Sequence, residues 1–438
     1  MQKGGEGSVP RIAADLRPRP IYGKKRGNMF MYSGFPYYAM ERRHGLLFAA
    51  LLAFFTVLIA PLVHPPWLMA LVVIFYALVL FRFFGTKYLT YAFVILSILY
   101  GLSILPVFFF SCTLAMLVVG ELVFGTGADD LNTYLYYVIA TAWAATLVMV
   151  YYHLLVPLTI IFGIIAAILL KVILLKFEDS IVIEALGIAM TMYLIDELNY
   201  VADVQLIVLA LIVASAFGYF AYRFRTADLS GLFSIALVGI ILLVFAEASW
   251  MLIMLTFFII GSLATKYKYA YKKRLGIEQG QGGARGYRNV FANGIAASAA
   301  AVLYGVFVRP EFIVIYVGCV ATAAADTLAS EIGVTGGTPY LITTFKKVPV
   351  GTNGGVTLTG EAVAVVGGFA VSFVALLLNV ITPEMAAICT VTGFIGTNID
   401  SLVGATLENK GYLGNAGTNL IATVTGGIVA LGLYLLFT

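Results

Sequence analysis

The chain has 438 residues, of which 61% are hydrophobic and only 11% are charged. A soluble globular protein carries about 25% charged residues, so this composition excludes that class. The net charge of +4 does not indicate a nucleic-acid partner, because the basic residues lie in short segments beside apolar runs. The three cysteines lie inside apolar runs and the three histidines are scattered, so we expect neither a disulfide framework nor a histidine metal site.

Residues 1–44 form a polar segment that is rich in lysine and arginine and lacks the pattern of a signal peptide. Basic segments next to membrane helices tend to stay on the cytoplasmic side, where the leaflet is anionic. We therefore predict a basic cytoplasmic tail. The positive-inside effect explains this tail without a specific binding role.

The rest of the chain is a succession of apolar runs, most of them long enough to cross a bilayer core of roughly 30 Å. These runs do not alternate and are too long for barrel strands, so the sequence predicts an all-α, polytopic transmembrane helical bundle. We expect about fifteen spans of about 20 residues each. They cover residues 46–63, 67–83, 88–105, 107–124, 134–152, 155–175, 181–195, 206–222, 229–245, 251–265, 290–308, 312–332, 362–378, 386–403 and 420–437.

The distribution of basic residues fits a cytoplasmic N-terminus followed by spans that alternate in direction. On that assumption the basic segments fall on the cytoplasmic side, among them Lys171 with Lys176, the segment 266–288 and the lysine pair at 346–347. Segments on the other side are nearly free of basic residues, with Arg309 as the exception. This pattern predicts an odd number of spans, with the C-terminus outside.

Composition divides the apolar region into two parts, with a boundary near residues 216–218. The first part, residues 45–217, consists mainly of Leu, Ile, Val, Phe and Tyr, and it could serve as a scaffold, a homodimer interface or a wall that guides lipid. The second part, residues 218–438, is rich in small and polar residues, which let helices and ligands approach the backbone closely. We therefore predict that residues 218–438 form the catalytic domain.

Acidic side chains lie within or beside two predicted spans of the second part. Asp326 and Ser330 share one helix face near the end of the span at 312–332, and Glu331 points to one side. Asp400 lies on a glycine-rich helix face near the same predicted membrane surface. Because acids within spans are mostly functional and Mg²⁺ binds carboxylates together with phosphate oxygens, these three acids are predicted metal ligands. Solvated helix ends or a structural polar contact are the alternatives.

A glycine- and threonine-rich segment, TTFKKVPVGTNGGVTLTG at 343–360, follows the first of these acidic spans. Glycines expose backbone N–H groups that can form an anion-binding nest, and lysines add positive charge for phosphate. The segment is neither a Walker A loop nor a Rossmann fingerprint, and a glycine-rich turn with topogenic lysines is the alternative. The predicted phosphate ligands are Lys346, Lys347, Thr352, Asn353, Gly354, Gly355 and Thr357.

Two arginines precede the predicted span at 290–308. Arg285 and Arg288 can clamp phosphate oxygens through paired hydrogen bonds, or they can anchor the helix on the cytoplasmic side. Asn293 lies near the start of that span, beside Gly294. We include Arg285, Arg288 and Asn293 among the predicted nucleotide- and phosphate-binding residues.

Several of these motifs resemble those of one family. The segments AADTLASEIG at 324–333, PYLITTFKKVPVGTNGGVTLTGE at 339–361 and IDSLVGATLE at 399–408 are similar to motifs of the phytyl-phosphate kinase family of polytopic membrane proteins. That family includes the plant enzyme of phytol salvage, and it is distantly similar to dolichol kinase and phosphatidate cytidylyltransferase. The resemblance covers residues 218–438 and leaves the first part of the chain unexplained.

The resemblance implies CTP-dependent phosphorylation of a prenyl monophosphate, of the phytyl or geranylgeranyl type, to the diphosphate. By position, Asp326 and Glu331 match the family's Asp-Thr-x-Ala-Ser-Glu element, and Asp400 matches its Asp-Ser element. Residues 352–357 match its Thr-Asn-Gly-Gly-Val-Thr element.

The sequence thus predicts an integral membrane kinase of a prokaryotic cell membrane, with its site facing the cytoplasm. Asp326, Asp400 and Glu331 are the predicted catalytic residues, which hold Mg²⁺ on the nucleotide, and the glycine-rich segment cradles its phosphates. The expected partners are an isoprenoid lipid phosphate, a nucleoside triphosphate and membrane lipids. A CTP-dependent lipid-phosphate cytidylyltransferase and a lipid or small-molecule transporter are the alternatives.

Overall fold

The computed structural model describes residues 35–125, 130–175, 177, 179–277 and 284–437, with side chains from His44 onward. Contacts divide the chain into the units Met1–Glu41 and Arg42–Thr438, and the second unit is the one described below. The predicted basic tail falls outside the described residues over 1–34, and Lys176 also falls outside them.

The described ranges contain sixteen α-helices and a two-stranded sheet. The helices are α1 (Phe35–Ile59), α2 (Pro66–Phe84), α3 (Lys87–Gly101), α4 (Val107–Phe124), α5 (Leu131–Tyr151), α6 (Pro157–Leu174), α7 (Ser180–Glu197), α8 (Val204–Arg223), α9 (Leu229–Phe245), α10 (Ala248–Lys266), α11 (Tyr269–Leu275), α12 (Tyr287–Phe307), α13 (Pro310–Gly333), α14 (Leu358–Leu377), α15 (Pro383–Val403) and α16 (Asn415–Phe437). The strands are β1 (Tyr340–Leu341) and β2 (Gly355–Val356). A 3-10 turn at Ala60–Leu62 follows α1, and a π-helical turn at Gly404–Glu408 follows α15.

Every predicted span overlaps one of the long helices, and only the short helix α11 has no counterpart among the predictions. Twelve of the described helices are long and apolar enough to cross a membrane. The helices α3 and α9 have 15 and 17 residues; at 1.5 Å per residue each is shorter than a ~30 Å bilayer core. Helix α7 contains Glu184, Asp196 and Glu197. The polytopic helical fold is confirmed, whereas the number of spans and the sides of the termini stay predictions.

The helices begin where the sequence supplies caps or prolines. Asp130, Asp203 and Asp228 cap α5, α8 and α9, since each side chain accepts a hydrogen bond from a backbone N–H of the first turn. Proline occupies the first turn of α2, α6, α13 and α15, where its missing N–H costs no helical hydrogen bond. Polar or rigid residues between apolar runs therefore set the helix starts.

Helix α13 is the centre of the second part of the chain, and it packs against α10, α12, α14, α15 and α16. Small residues make this packing close. A Cβ added at Gly367 of α14 would lie 2.9 Å from the carbonyl oxygen of Ala324, and one at Gly393 of α15 would lie 3.0 Å from that of Ala321. The helices of this part therefore pack closely, as predicted. This packing holds in place the end of α13 that carries Asp326.

The first part of the chain contains a buried charged cluster. Lys171 of α6 forms ion pairs with Glu121 of α4 and, at 3.3 Å, with Glu184 of α7. The Lys171 ammonium also lies 5.0 Å from the centre of the Phe124 ring. Lys171 does not lie in a loop, as predicted, but within α6, where it is buried between two carboxylates; its side of the membrane stays a prediction.

Candidate functional site

Helix starts and helix ends converge on one cavity of about 780 Å³. Residues at the starts of α9, α12, α14 and α16 line this cavity, and so do residues at the ends of α10, α13 and α15. Backbone N–H groups at helix starts carry partial positive charge. The four helix starts therefore favour an anionic ligand such as phosphate, whereas the carbonyl groups at the three helix ends favour a cation, so the cavity suits phosphate together with a cation.

Two of the three predicted carboxylates lie at this cavity, Asp326 near the end of α13 and Asp400 near the end of α15. Asp326 is buried, and Asp400 is half-buried with its Oδ1 atom lacking a hydrogen-bond partner among the described residues. An unpaired carboxylate oxygen beside a cavity fits a cation ligand, since Mg²⁺ takes one or two carboxylates with phosphate oxygens and water. In the described parts of the chain, no three His, Cys, Asp or Glu side chains form a group that could hold a metal.

Glu331, the third predicted ligand, is not among the residues that line the cavity. It is buried and forms an ion pair with Lys272 of α11. Lys272 also donates hydrogen bonds to the carbonyl oxygens of Ala264 (3.1 Å) and Thr265 (2.8 Å) at the end of α10. Lys272 therefore caps α10 and neutralises a buried acid, and the side of the membrane on which this segment lies stays a prediction.

The predicted glycine-rich loop is folded as a hairpin. Strand β1 (Tyr340–Leu341) pairs antiparallel with β2 (Gly355–Val356), and the amide of Ile342 donates to the carbonyl oxygen of Gly354 at 3.0 Å. Residues 350–357 line the cavity. The predicted ligands Thr352, Asn353, Gly354, Gly355 and Thr357 are thus brought to the same cavity as the two aspartates.

Gly354 holds the hairpin against the end of α15. Its φ of +76° lies in the left-handed region that favours glycine. A Cβ at this position would lie 2.5 Å from the carbonyl oxygen of Ser401 and 2.7 Å from the amide nitrogen of Ala405. The Asn409 side chain adds a hydrogen bond of 3.2 Å to the carbonyl oxygen of Asn353. Glycine therefore allows the hairpin to lie directly beside the helix that carries Asp400.

Thr357 joins two elements at the cavity. Its Oγ1 accepts a hydrogen bond of 3.0 Å from the amide of Gly360 and donates one of 3.1 Å to the carbonyl oxygen of Gly333. The hydroxyl thus caps α14 and ties it to the end of α13. By contrast, Lys346 and Lys347 are exposed in the hairpin and are not among the cavity-lining residues.

Arg285 is the buried positive charge of the cavity. Its guanidinium carbon lies 5.2 Å from the ring centre of Phe257 and 5.6 Å from that of Phe258. Burial lowers the pKa of Arg285 to about 10, and the charge of Glu331 partly opposes this shift, so the side chain stays charged at neutral pH. Among the described residues, no carboxylate lies within ion-pair distance of it. A buried guanidinium that lines a cavity without such a partner is suited to bind phosphate.

The other two residues of this predicted group differ in position. Arg288 is exposed and lines the cavity, and its Nε donates a hydrogen bond of 3.1 Å to the hydroxyl of Tyr287. Asn293 is buried away from the cavity lining, and its Nδ2 donates to the carbonyl oxygen of Asn289 at 2.9 Å. The structure thus brings Arg288, but not Asn293, to the cavity.

Three further acids line the cavity and were not predicted: Asp228, Glu361 and Glu408. Glu361, in the first turn of α14, accepts a hydrogen bond of 3.0 Å from the Asn398 side chain. Glu408 lies at the end of the π-helical turn at Gly404–Glu408. Glu361 and Glu408 are the last residues of the family-like motifs at 339–361 and 399–408, and these motifs are the sequence signal that could have identified them. The position of Glu408 at the cavity could not be predicted, because a π-helical turn produces no residue periodicity in the sequence.

Comparison with known proteins identifies the class of membrane protein. The family described as integral membrane protein DUF92 matches residues 212–427. An uncharacterized membrane protein of Methanocaldococcus jannaschii is 35% identical over 48% of this chain and 87% of its own length. The chain belongs to the DUF92 family of integral membrane proteins.

Two further relatives are similar to this DUF92 protein over less than half of its length. Protein VTE6, chloroplastic, of Arabidopsis thaliana is 34% identical over 41% of this chain and 57% of its own length. An uncharacterized membrane protein of Synechocystis is 32% identical over 44% of this chain and 77% of its own length. No solved structure gives a significant match.

The family match contains every residue that lines the cavity of this DUF92 protein, from Asp228 to Asn415. The family resemblance inferred from the motifs is confirmed over this part. The match begins at residue 212, close to the predicted boundary at 216–218. The cluster of Lys171, Glu121 and Glu184 lies outside the match.

Proposed function

We propose that this DUF92 protein is a kinase that transfers the terminal phosphoryl group of CTP to a polyprenyl monophosphate at the cytoplasmic membrane face. The observation that carries the proposal is a single cavity lined by Asp326, Asp400 and the buried Arg285. Similarity to VTE6 and to the motifs of the phytyl-phosphate kinase family supports a kinase-type enzyme. The choice of CTP and of a prenyl acceptor rests on the motif resemblance.

In the proposed reaction, an oxygen of the acceptor phosphate forms a bond to the γ-phosphorus of the nucleotide. The bond from that phosphorus to the oxygen bridging to the β-phosphate breaks, and the nucleoside diphosphate leaves. The acceptor phosphate is already ionised, so no protein base is required. Such transfers depend on positioning and on neutralising the phosphate charge, which acidic metal ligands and a guanidinium supply.

The described residues suit these roles. Asp326 and Asp400 would hold Mg²⁺, which neutralises charge on the nucleotide phosphates when it is bound. The hairpin residues 352–355 offer backbone N–H groups and neutral side chains beside the two aspartates. Arg285 offers paired hydrogen bonds to a phosphate, and its buried setting strengthens them.

The test supplies the purified protein with CTP, Mg²⁺ and geranylgeranyl monophosphate and identifies the products by mass spectrometry. We expect CDP and geranylgeranyl diphosphate. Pyrophosphate with a CDP-linked lipid would instead identify a cytidylyltransferase. If the folded protein transfers no phosphoryl group from CTP, ATP, GTP or UTP, the kinase proposal is wrong.

A further inference from the structure

An apolar cleft lies beside the polar cavity, between α8, α9, α10 and α12. Its lining includes Phe217, Val238, Met254, Phe258 and Gly294. Phe217 and Phe258 form an edge-to-face pair with ring centres 5.9 Å apart, which joins α8 to α10. Three of these helices, α8, α10 and α12, meet the length and hydropathy expected of membrane spans, and α9 is a shorter apolar helix. The cleft is therefore a narrow apolar space of about 60 Å³ among helices that are themselves suited to lie in lipid.

The apolar cleft and the polar cavity share two residues, Arg285 and Asn289. Arg285 stacks over the rings of Phe257 and Phe258, both of which line the cleft, while its charge is available to the cavity. The two spaces thus adjoin at a buried positive charge. A molecule with an apolar chain and an anionic head would fit this junction, because neither space alone offers both environments.

We propose that the part of the prenyl chain next to the acceptor phosphate lies in the apolar cleft, that the rest of the chain extends into lipid, and that Arg285 binds the acceptor phosphate at the junction. This inference rests on the proposed kinase function and assigns the two substrates to opposite sides of the cavity. The nucleotide then occupies the side formed by Asp326, Asp400 and the hairpin. The acceptor oxygen and the γ-phosphorus meet between Arg285 and the aspartates.

A substitution at Gly294 tests the cleft. An added Cβ there would meet Val238 Cγ2 at 3.6 Å, an ordinary contact, and Val238 also lines the cleft, so a larger side chain at Gly294 alters the cleft wall. We expect Gly294→Leu to raise KM for geranylgeranyl monophosphate by about tenfold. A side chain that fills part of an apolar binding site lowers the affinity for its ligand by about that factor. KM for CTP should stay unchanged, and geranyl monophosphate, which has the same isoprene units next to its phosphate, should be affected to a similar degree.

Gly432→Leu is the matched control, since Gly432 lies within α16, away from the cleft, and an added Cβ there meets no atom within 4 Å. It should leave both KM values unchanged. An unchanged KM for geranylgeranyl monophosphate in Gly294→Leu would show that the chain lies elsewhere, whereas a rise in the CTP value alone would place nucleotide at the cleft. Either result overturns the assignment.

A second experiment needs neither turnover nor a variant. Geranylgeranyl monophosphate carrying a photoreactive diazirine on the isoprene unit next to its phosphate is irradiated with the wild-type protein, and the modified peptides are mapped. We expect labelling in α8, α9, α10 or α12, the helices that line the cleft, with competition by unmodified geranylgeranyl monophosphate. Labelling confined to other helices would refute the cleft assignment even in an active enzyme. Labelling of the cleft in a protein without any transferase activity would support the lipid site and refute the kinase.

Discussion

At the scale of single residues, Asp326 is the predicted metal ligand to test first. It is buried on α13, the helix in contact with five others, and it faces the cavity. We expect Asp326→Asn to reduce phosphoryl transfer at least about 100-fold, because the amide removes a charged metal ligand where phosphate charge must be neutralised. The rate of CDP formation at saturating CTP measures this effect.

Glu311→Gln is the matched control for Asp326→Asn. Glu311 lies in the first turn of the same helix, at the opposite end, where it pairs with the exposed Arg309 at 2.7 Å. An exposed ion pair contributes little, so this variant should keep its activity and its melting temperature. Full activity in a folded Asp326→Asn variant would remove Asp326 from the metal site.

The pair Lys272–Glu331 decides between a structural and a catalytic role for Glu331. Both side chains are almost completely buried. Lys272→Met leaves the acid buried without its partner, and we expect the free energy of unfolding to fall by about 3–5 kcal/mol. A lower melting temperature in detergent measures this loss.

The double variant Lys272→Met with Glu331→Met separates the two roles. Replacing both members of a buried ion pair by apolar side chains is often neutral for stability, so the melting temperature should recover. Phosphoryl transfer should also persist, since Glu331 does not line the cavity. A stable but inactive double variant would return Glu331 to the predicted metal site.

At the scale of elements, the contact between the hairpin and α15 sets the distance from residues 352–355 to Asp400. Gly354→Ala adds a Cβ that meets Ser401 at 2.5 Å and also strains a residue whose φ is +76°. We expect the hairpin to move away from α15 and the KM for CTP to rise about tenfold or more. A small displacement of the groups that bind phosphate is enough for a loss of that size. Steady-state kinetics with varied CTP test this expectation.

Gly411→Ala separates the strain from the contact. Gly411 has nearly the same backbone conformation, with a φ of +74°, but an added Cβ there meets no atom within 4 Å. The control therefore carries the cost of a left-handed alanine, about 1–2 kcal/mol, without the clash. Equal losses of CTP binding in the two variants would mean that the contact with α15 does not position the hairpin.

At the scale of the whole molecule, the sequence predicted the long helices well, because runs of apolar residues and terminal caps are local signals. It also predicted Asp326 and Asp400 as companions, since acids in apolar helices stand out. It did not reveal the buried ion pairs of Lys171 and Lys272, because a lysine beside a span has the same local pattern whether it faces water or a buried acid. Pairings between residues distant in sequence, and the junction at Arg285, become visible only in three dimensions.

The side of the membrane that the cavity faces follows from how many helices cross. Helix α13 is the twelfth of the long helices in chain order, so alternate crossings from a cytoplasmic N-terminus would place its end in the cytoplasm. Three of the helices before it, α3, α7 and α9, do not meet the length and hydropathy expected of spans. Among the helices that do, α13 is the ninth. If none of these three crosses, the cavity faces outward, where nucleotide is scarce.

Labelling of introduced cysteines resolves this question. The native cysteines Cys112, Cys319 and Cys389 are buried, so they give little background. Arg309 and Lys347 are exposed on segments at opposite ends of α13. We expect Arg309→Cys to react with a membrane-impermeant maleimide in intact cells and Lys347→Cys to react only after permeabilisation, since the lysine-rich segments favour the cytoplasm. The reverse pattern would place the cavity outside and contradict a cytoplasmic nucleotide site.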